Sequence, residues 1–454
     1  MALLSFAISI AVFYPGLVTY DSIDQYRQAL EGTYNDIHPP MMAAIWRKLL
    51  AIDQGPSGFL FFNLLIYWLS FCLLAIFCIR RSGRMIGSCA VLAGFFPFLL
   101  AFSGVIWKDV VFAALWALGS VLLLLCSLPS RPQRTIWAFW GIAVFAILLG
   151  ATMRHNAWPA GLPLMVAAAL QAPVPSKRWR TLLGIALCSL VVIAPPVTAR
   201  ALQAERGDSF QYVASWDLVG ISYFAGRNYL AADGHKAANP DLRCYSPRLF
   251  DACPMLHFAS RDEARTRWVS AIAAEPVAYL EHRTLVFAML LRVGCERCAP
   301  FVWVTQSDAN PYGLRFEGNI LHRGLGLVVR ALATTPLGRP YVWVIALAGM
   351  AALLWRHGRS PSDRILMLIA TSGTLYAGTY FVAAVTDEFR YLYWSIFSAV
   401  LVGTAMLVGM SDATRLRQMM LWVLLPVLVA IGAETTLRGL APIDNIAPSM
   451  TTNY

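Results

Sequence analysis

The sequence is poor in charged residues. Only 13% of its 454 residues are Asp, Glu, Lys or Arg, whereas 58% are hydrophobic. A soluble domain carries about 25% charged residues, so this composition excludes an ordinary soluble protein. The mean hydropathy of +0.59 points the same way. We therefore expect a polytopic membrane protein.

Acidic residues are especially scarce. The chain has 25 acidic and 36 basic residues, which gives a net charge of +11. An excess of positive charge can indicate nucleic-acid binding, but here many basic residues lie in short clusters between apolar segments. Lys and Arg are retained in the cytoplasmic loops of membrane proteins. Membrane topology explains the basic balance, and no nucleic-acid partner is expected.

The apolar segments predict an all-α fold with about eleven transmembrane helices. A helix of about 20 apolar residues crosses a bilayer. The first segment lacks the basic start and the small-residue cleavage pattern of a signal peptide, so we expect a retained helix. The predicted spans cover residues 1–18, 59–79, 85–102, 110–128, 136–153, 159–173, 181–199, 341–355, 365–385, 394–410 and 420–437.

Every second connection between these spans is short and basic. By the positive-inside rule such connections are cytoplasmic. Residues 19–58, 103–109, 154–158, 200–340 and 386–393 then lie on the external side. The basic connections carry Arg80, Arg81 and Arg84; Arg131 and Arg134; Lys177, Arg178 and Arg180; Arg356, Arg359 and Arg364; and Arg415 and Arg417.

The spans divide the chain into three parts. Residues 1–199 form a module of about seven helices and residues 341–454 a module of about four. Residues 200–340 are an external, mostly helical region of about 140 residues, within the usual size of a domain. In the first external loop, 19–58, apolar residues at helical spacing predict short interfacial helices, with Trp46 as an interfacial anchor.

The nine cysteines fall into two groups. Five lie within apolar segments and are expected to be small packing residues. The other four lie in the external region, where an even number of cysteines favours two disulfides in an oxidising compartment. Free thiols and a metal held by four thiolates are the alternatives. These four residues are Cys244, Cys253, Cys295 and Cys298.

Four polar motifs converge on the external side of the predicted topology. The cytoplasmic clusters contain plain Arg and Lys, whereas the external ones mix acids, bases and His, which indicates that the active face is external. A charge at the edge of a bilayer is costly unless hydrated or paired, so such clusters are candidate functional sites. The motifs are Asp21, Asp24, Asp36 and His38; Trp107, Lys108 and Asp109; Arg154, His155 and Asn156; and Asp387, Glu388, Phe389, Arg390 and Tyr391.

This combination of side chains suits sugar transfer from a lipid phosphate. A carboxylate kept ionised by a neighbouring cation can take a proton from an acceptor hydroxyl or amine as that group attacks a sugar. Guanidinium and ammonium groups can bind the departing phosphate, which gains negative charge as its bond to the sugar breaks.

The first two motifs also have purely structural interpretations. Asp21 could cap the helix that follows it, with Asp24 solvated. Asp36 or His38 could likewise begin a helix whose first turn contains the following proline. In these interpretations the first external loop carries no chemistry.

The later motifs have structural alternatives as well. Lys108 and Asp109 could form a local ion pair of small energetic value. Arg154 could extend to the phospholipid headgroups, and Arg390 could pair with the acids that precede it. Each motif alone is weak, but four on one face favour a common site.

The motifs resemble those of the GT-C superfamily of polytopic glycosyltransferases, most closely an uncharacterised bacterial branch. The first loop is also similar to that of eukaryotic dolichyl-phosphate-glucose-dependent glucosyltransferases. The resemblance covers the whole chain in architecture and short motifs in residues. The matching residues are Asp21-Ser22-Ile23-Asp24-Gln25, Asp36-Ile37-His38-Pro39, Lys108-Asp109, Arg154-His155-Asn156 and Arg390-Tyr391.

The resemblance implies an inverting transfer from a polyprenyl-phosphate-linked sugar at the external face of a bacterial inner membrane, to a glycan, lipid or protein acceptor. It makes Asp21 the first choice for the catalytic base and Asp24 the second, and leaves a divalent metal undecided. The donor phosphate would be bound by Lys108, Arg154 and Arg390. The remaining pocket residues would be Asp36, His38, Asp109, His155, Asn156, Asp387, Glu388 and Tyr391.

Two other function classes compete with glycosyl transfer. A transporter or flippase places ionisable residues near the bilayer midplane and uses broken helices in repeated halves. Pro195 and Pro196 would break the seventh span, but the acids lie at the outer edge and no two-half symmetry is evident. An O-antigen ligase or polymerase has a large late external loop rich in Arg and His, which residues 200–340 imitate in part.

Overall fold

The computed structural model describes residues 1–129, 132–207, 209–230, 242, 244–250, 252–253, 256–295, 303–409 and 413–440. In these residues the regular structure is helical, with isolated bridges between extended segments. The all-α, polytopic architecture predicted from composition is therefore confirmed. The α-helices are α1 Ala2–Phe13, α2 Tyr20–Glu31, α3 Met41–Leu49, α4 Ser57–Ser82, α5 Pro97–Ser103, α6 Lys108–Cys126, α7 Gln133–Ala151, α8 Trp158–Gln171, α9 Lys177–Ala201, α10 Phe210–Ala225, α11 Arg261–Ala274, α12 Pro276–Leu291, α13 Ile320–Ala333, α14 Pro340–His357, α15 Pro361–Ala383, α16 Tyr393–Val408, α17 Ala413–Met419 and α18 Leu425–Leu440.

The predicted count of about eleven spans is not confirmed. Within the described residues, seven helices are long and apolar enough to cross a membrane. An eighth span would be the pair Met85–Phe95 and Pro97–Ser103, bent by 61°. The predicted spans 1–18, 159–173 and 341–355 form α1, α8 and α14 of 12, 14 and 18 residues, which are outside the seven.

Helix α6 lies at the centre of the membrane-spanning helices. Every one of its residues is buried, because α4, α7, α15 and α16 pack around it. A helix that is apolar on all sides suits such a position. Its first residues, Lys108 and Asp109, are buried charges, so ion pairs are expected at the N-terminal end of the helix.

Helix α9 corrects the prediction that Pro195 and Pro196 break the seventh span. The helix runs continuously from Lys177 to Ala201 with both prolines inside it. Proline is tolerated in membrane helices because local adjustments satisfy the freed backbone groups. The broken helix that favoured a transporter is therefore not observed here.

The first external loop forms two helices, α2 and α3, as predicted. Trp46 is fully buried and is not an interfacial anchor, which corrects the prediction. Its indole packs on Tyr26 and Phe59, with each ring centroid 5.2 Å away, and its N–H donates to the Gly55 carbonyl over 3.2 Å.

The region 200–340 contains α10 to α13 in its described residues. Helices α11 and α12 pack on α10, and Cys244 forms a disulfide with Cys253. Cys295 is also disulfide-bonded, while Cys298 lies outside the described residues. Residues 285–291 form the end of α12.

Candidate active site

The start of α2 is docked against the start of α6. The Ser22 hydroxyl accepts the Thr19 backbone N–H over 3.2 Å and donates to the Ile106 carbonyl over 2.6 Å. A short parallel bridge between Leu17 and Val105 reinforces this contact. Thr19 is the N-cap of the helix, so Asp21 does not cap it. The Asp21 side chain is thereby directed toward the N-terminal end of α6.

Three groups surround the Asp21 carboxylate. Arg390 Nη1 lies 2.8 Å from Oδ2, Lys108 Nζ lies 3.8 Å from the same oxygen, and His38 Nε2 lies 3.6 Å from Oδ1. Burial alone would raise the pKa of Asp21, but the charges of Arg390 and Lys108 outweigh it and hold that pKa well below its usual range. Asp21 is therefore an ionised carboxylate in a cationic setting.

His38 connects Lys108 with Asp21. Lys108 Nζ lies 2.6 Å from His38 Nδ1. Because an ammonium group only donates, Nδ1 accepts, and Nε2 carries the hydrogen that faces Asp21. Burial and the charge of Lys108 lower the pKa of His38 to about 3, so the imidazole is neutral near pH 7. Its tautomer is thus fixed by its neighbours.

Arg154 forms a second buried pair beside the first. Its Nη2 lies 2.8 Å from Asp109 Oδ1, it contacts the Tyr380 hydroxyl, and its guanidinium lies 5.2 Å from the Tyr391 ring centroid. Arg154 is buried, so it does not extend to lipid headgroups. Lys108 and Asp109 each pair with a distant residue instead of with each other.

The segment between α15 and α16 brings Arg390 to Asp21. Arg390 also contacts Glu388 through its Nε and lies over the Trp107 ring, 4.7 Å from the centroid. Tyr391 stacks on Tyr380 with centroids 4.9 Å apart. Burial raises the pKa of the Glu388 carboxyl, and the charge of Arg390 opposes that rise. Arg390 therefore bridges two carboxylates, one from each external segment.

The other acids of the first loop have different partners. Within the described residues, Asp24 contacts Arg27 over 2.8 Å and Gln28 over 2.7 Å on the surface of α2. Asp36 accepts the Gly207 N–H over 2.6 Å and begins no helix. The structure therefore brings Asp21 to the ion cluster and leaves Asp24 on the helix face beside it.

The remaining predicted residues line the edges of the cluster. His155 Nε2 lies 3.0 Å from the Asp36 carbonyl, and burial lowers the pKa of His155. Asn156 donates to the Thr379 hydroxyl over 3.0 Å. Asp387 pairs with Arg248 over 2.9 Å, away from Arg390.

Sequence reasoning missed two tyrosines of α15. Tyr376 and Tyr380 are buried, and their hydroxyls lie 3.0 Å apart next to Arg154. They are separated by four residues and so share one helix face. Two phenols one turn apart in an apolar span were the available signal, since buried tyrosine hydroxyls usually find a polar partner.

No metal-binding cluster is evident in the described part of the chain. Among those residues, no group of three or more His, Cys, Asp and Glu side chains is arranged to hold a metal ion. Around Asp21 the neighbours are two cations and a neutral imidazole.

The chain matches no protein-family model and no curated protein. It is similar to the structure of the archaeal oligosaccharyltransferase AglB from Archaeoglobus fulgidus in complex with an inhibitory peptide and a dolichol-phosphate, with 12% identity and a TM-score of 0.40 over 96% of this chain and 55% of that one. The Archaeoglobus fulgidus oligosaccharyltransferase tethered with an acceptor peptide gives 13% identity and a TM-score of 0.40, over 98% of this chain and 54% of that one. The chain thus spans about half the length of these proteins.

Proposed function

We propose that the protein is an integral membrane glycosyltransferase. It transfers a sugar from a polyprenyl-phosphate donor to a glycan, lipid or protein acceptor, with inversion at the anomeric carbon. The observation that carries this proposal is the Asp21 carboxylate in contact with Arg390 and Lys108. One base beside two phosphate-binding groups is what such a transfer requires.

Asp21 has the role of the base in this reaction. An acceptor hydroxyl gives its proton to Asp21 as the oxygen attacks the anomeric carbon. The bond from that carbon to the phosphate oxygen breaks, and the electron pair leaves with the phosphate. Arg390 and Lys108 stabilise the charge that develops on the leaving oxygen, in the manner of other preorganised cationic groups.

Donor binding should also change the pKa of Asp21. Arg390 and Lys108 now lower the pKa of Asp21, which makes it a weak proton acceptor. A phosphate competes with Asp21 for the same two cations, so its binding raises the pKa of Asp21 toward the ordinary value of about 3.9. The carboxylate then accepts a proton more readily, and base strength is coupled to the presence of donor.

The helix arrangement supports a site on the external side of the membrane, and the motif resemblance makes that membrane a bacterial inner membrane. The first turn of helix α15 contains Asp363, which pairs over 2.5 Å with Arg81 of a predicted basic connection, and its last turn contains Tyr380 at the ion cluster. Its 23 residues extend about 34 Å, enough to cross a hydrocarbon core of about 30 Å. The cluster and the basic connections are therefore expected on opposite sides, with the cluster in the periplasm.

A reconstituted transfer assay tests the proposal. The purified protein in proteoliposomes is supplied with polyprenyl-phosphate sugars labelled in the sugar, or with labelled nucleotide sugars, and with envelope extract as acceptor. We expect the polyprenyl-phosphate sugars, and not the nucleotide sugars, to give labelled acceptor, with release of free polyprenyl phosphate. Transfer from nucleotide sugars, or movement of intact lipid across the bilayer without cleavage, would contradict the proposal.

A further inference from the structure

The external region contains a buried ion cluster separate from the candidate site. Asp217 of α10 and His282 and Arg283 of α12 are fully buried. Asp217 Oδ1 lies 2.6 Å from Arg283 Nε and 3.1 Å from His282 Nε2, and Oδ2 accepts the Trp268 N–H over 2.6 Å. Buried charges are costly unless they are paired, so such a cluster holds α10, α11 and α12 in one arrangement.

Arg283 reaches from this cluster to the membrane module. Its Nη1 donates to the Ala384 carbonyl over 2.8 Å. Ala384 is the C-cap of α15, where the backbone leaves the helix and turns toward Arg390. The guanidinium is itself held by Asp217, so the carbonyl is fixed relative to the external region.

The next three residues of the same segment, 385–387, contact residues 248–250 of the external region. Leu249 and Thr386 form an antiparallel bridge. The Phe250 N–H donates to the Val385 carbonyl over 3.2 Å. The Asp387 N–H donates to the Arg248 carbonyl, also over 3.2 Å, and the Arg248 side chain pairs with Asp387 over 2.9 Å.

We infer that Arg283 and Arg248 are positioning residues for Arg390. Together they hold the backbone from Ala384 to Asp387 against the external region, and this sets the direction in which Arg390 reaches Asp21. Beyond this segment the chain forms a short 3-10 helix, Phe389–Leu392. The inference rests on the proposed function, because the role of Arg390 is defined by it.

Loosening of the segment 384–387 should lower turnover while the protein stays folded. A displacement of about 1 Å in a catalytic group can cost about 100-fold in rate. If the segment loosens, Arg390 spends less time against Asp21 and the pKa of Asp21 rises. An acid limb should then appear in the profile of kcat/KM against pH, where the wild type shows none from this group. A residue with a merely structural role would lower thermal stability but would leave the pH profile where it is.

Arg248→Ala is the first test. Its side chain is 37% exposed, so the variant is expected to fold. The matched control is Arg227→Ala, which removes an ion pair with Glu275 at 2.7 Å in the same external region. We expect kcat in the transfer assay to fall about 10- to 100-fold for Arg248→Ala, with a new acid limb in the profile of kcat/KM against pH. Both properties should stay unchanged for Arg227→Ala.

Arg283→Lys is the second test. Lysine keeps the charge beside Asp217 but cannot form the planar, forked contact that also reaches Ala384. Hydrogen exchange of the amides at 388–391 supplies a readout independent of activity. We expect faster exchange there in both Arg248→Ala and Arg283→Lys, and wild-type exchange in Arg227→Ala.

The outcomes separate this inference from the proposed function. Wild-type exchange at 388–391 in Arg248→Ala and Arg283→Lys would overturn the positioning role, whatever the activity. An active wild type whose two variants keep its kcat and pH profile would overturn it as well. A wild type inactive with every lipid donor, with exchange changed in the variants, would instead count against the proposed function.

Discussion

Replacing Arg390 by Gln perturbs the central ion pair most directly. The change removes the charge 2.8 Å from Asp21 and leaves Lys108, at 3.8 Å, as the remaining nearby cation. A neighbouring opposite charge lowers a carboxyl pKa by about 1–3 units. Its loss should therefore raise the pKa of Asp21 by about 1–3 units. At about 1.4 kcal/mol per unit, the ionised carboxylate loses about 1.4–4 kcal/mol of stabilisation.

The profile of kcat/KM against pH measures this shift, because it reports the free enzyme. In the wild type the pKa of Asp21 is so low that no acid limb from this group should appear before the protein unfolds. In Arg390→Gln an acid limb should appear as the pKa approaches its ordinary value of about 3.9. Near pH 7 the loss of one phosphate-binding group should lower kcat/KM by about 100- to 1000-fold.

Stability gives an independent measurement of the same pair. A lowered carboxyl pKa stabilises the folded protein above the unfolded-state pKa of about 3.9, and this contribution is lost as the pH falls through the folded-state value. Thermal unfolding should show Arg390→Gln less stable than the wild type at pH 7, with a smaller difference at pH 3. The control is Arg27→Gln, which removes a surface pair on α2. It should change neither the profile of kcat/KM against pH nor the thermal stability. A variant with the wild-type rate, profile and stability would refute the reasoning.

Three further predictions follow from other contacts. His38→Leu removes the acceptor that orients the Lys108 ammonium and should lower turnover by about tenfold or more. His38→Gln keeps an acceptor and should retain most of the wild-type turnover. Steady-state kinetics measure the turnover of both variants. Asp109→Asn leaves the Arg154 charge buried without its partner and should cost about 3–5 kcal/mol of stability, measured by thermal unfolding. In intact cells Cys244 should resist alkylation until a reductant is added, as mass spectrometry of its peptide would show.

The assembly of the cluster could be predicted in part from the sequence. Asp21, Lys108 and Arg390 each lie at the predicted external end of an apolar segment, and charges at that depth must be paired or hydrated. The positive-inside pattern assigned them to one face. Their convergence within 4 Å depends in addition on how the helices pack.

Other features depend on packing that the sequence does not encode locally. Asp21 and Asp24 are three residues apart and so lie on neighbouring parts of one helix face; the docking of Ser22 on Ile106 decides which of them meets Arg390. Trp46 has the pattern of an interfacial anchor, but Phe59 of the following helix covers it. Tertiary contacts decide both cases.

The predicted number of membrane spans was not confirmed, for a similar reason. An apolar segment is suited equally to lipid and to the interior of a helical module, so composition cannot separate them. The 3-10 helix Met85–Phe95 and α5 together have the composition of one span, yet the pair is bent by 61°. Pro97 lies at the bend, at the start of α5, where it has no backbone N–H to donate to the preceding turn.

The most direct test of the central claim compares Asp21→Asn with Asp24→Asn at saturating lipid donor. Both variants remove one carboxylate from α2, but only Asp21 contacts Arg390 in the structure, while Asp24 pairs with Arg27. We expect turnover to fall by about 100- to 10,000-fold in Asp21→Asn, the usual contribution of a general base, and to change little in Asp24→Asn. Full activity in folded Asp21→Asn, with the loss in Asp24→Asn instead, would contradict the account.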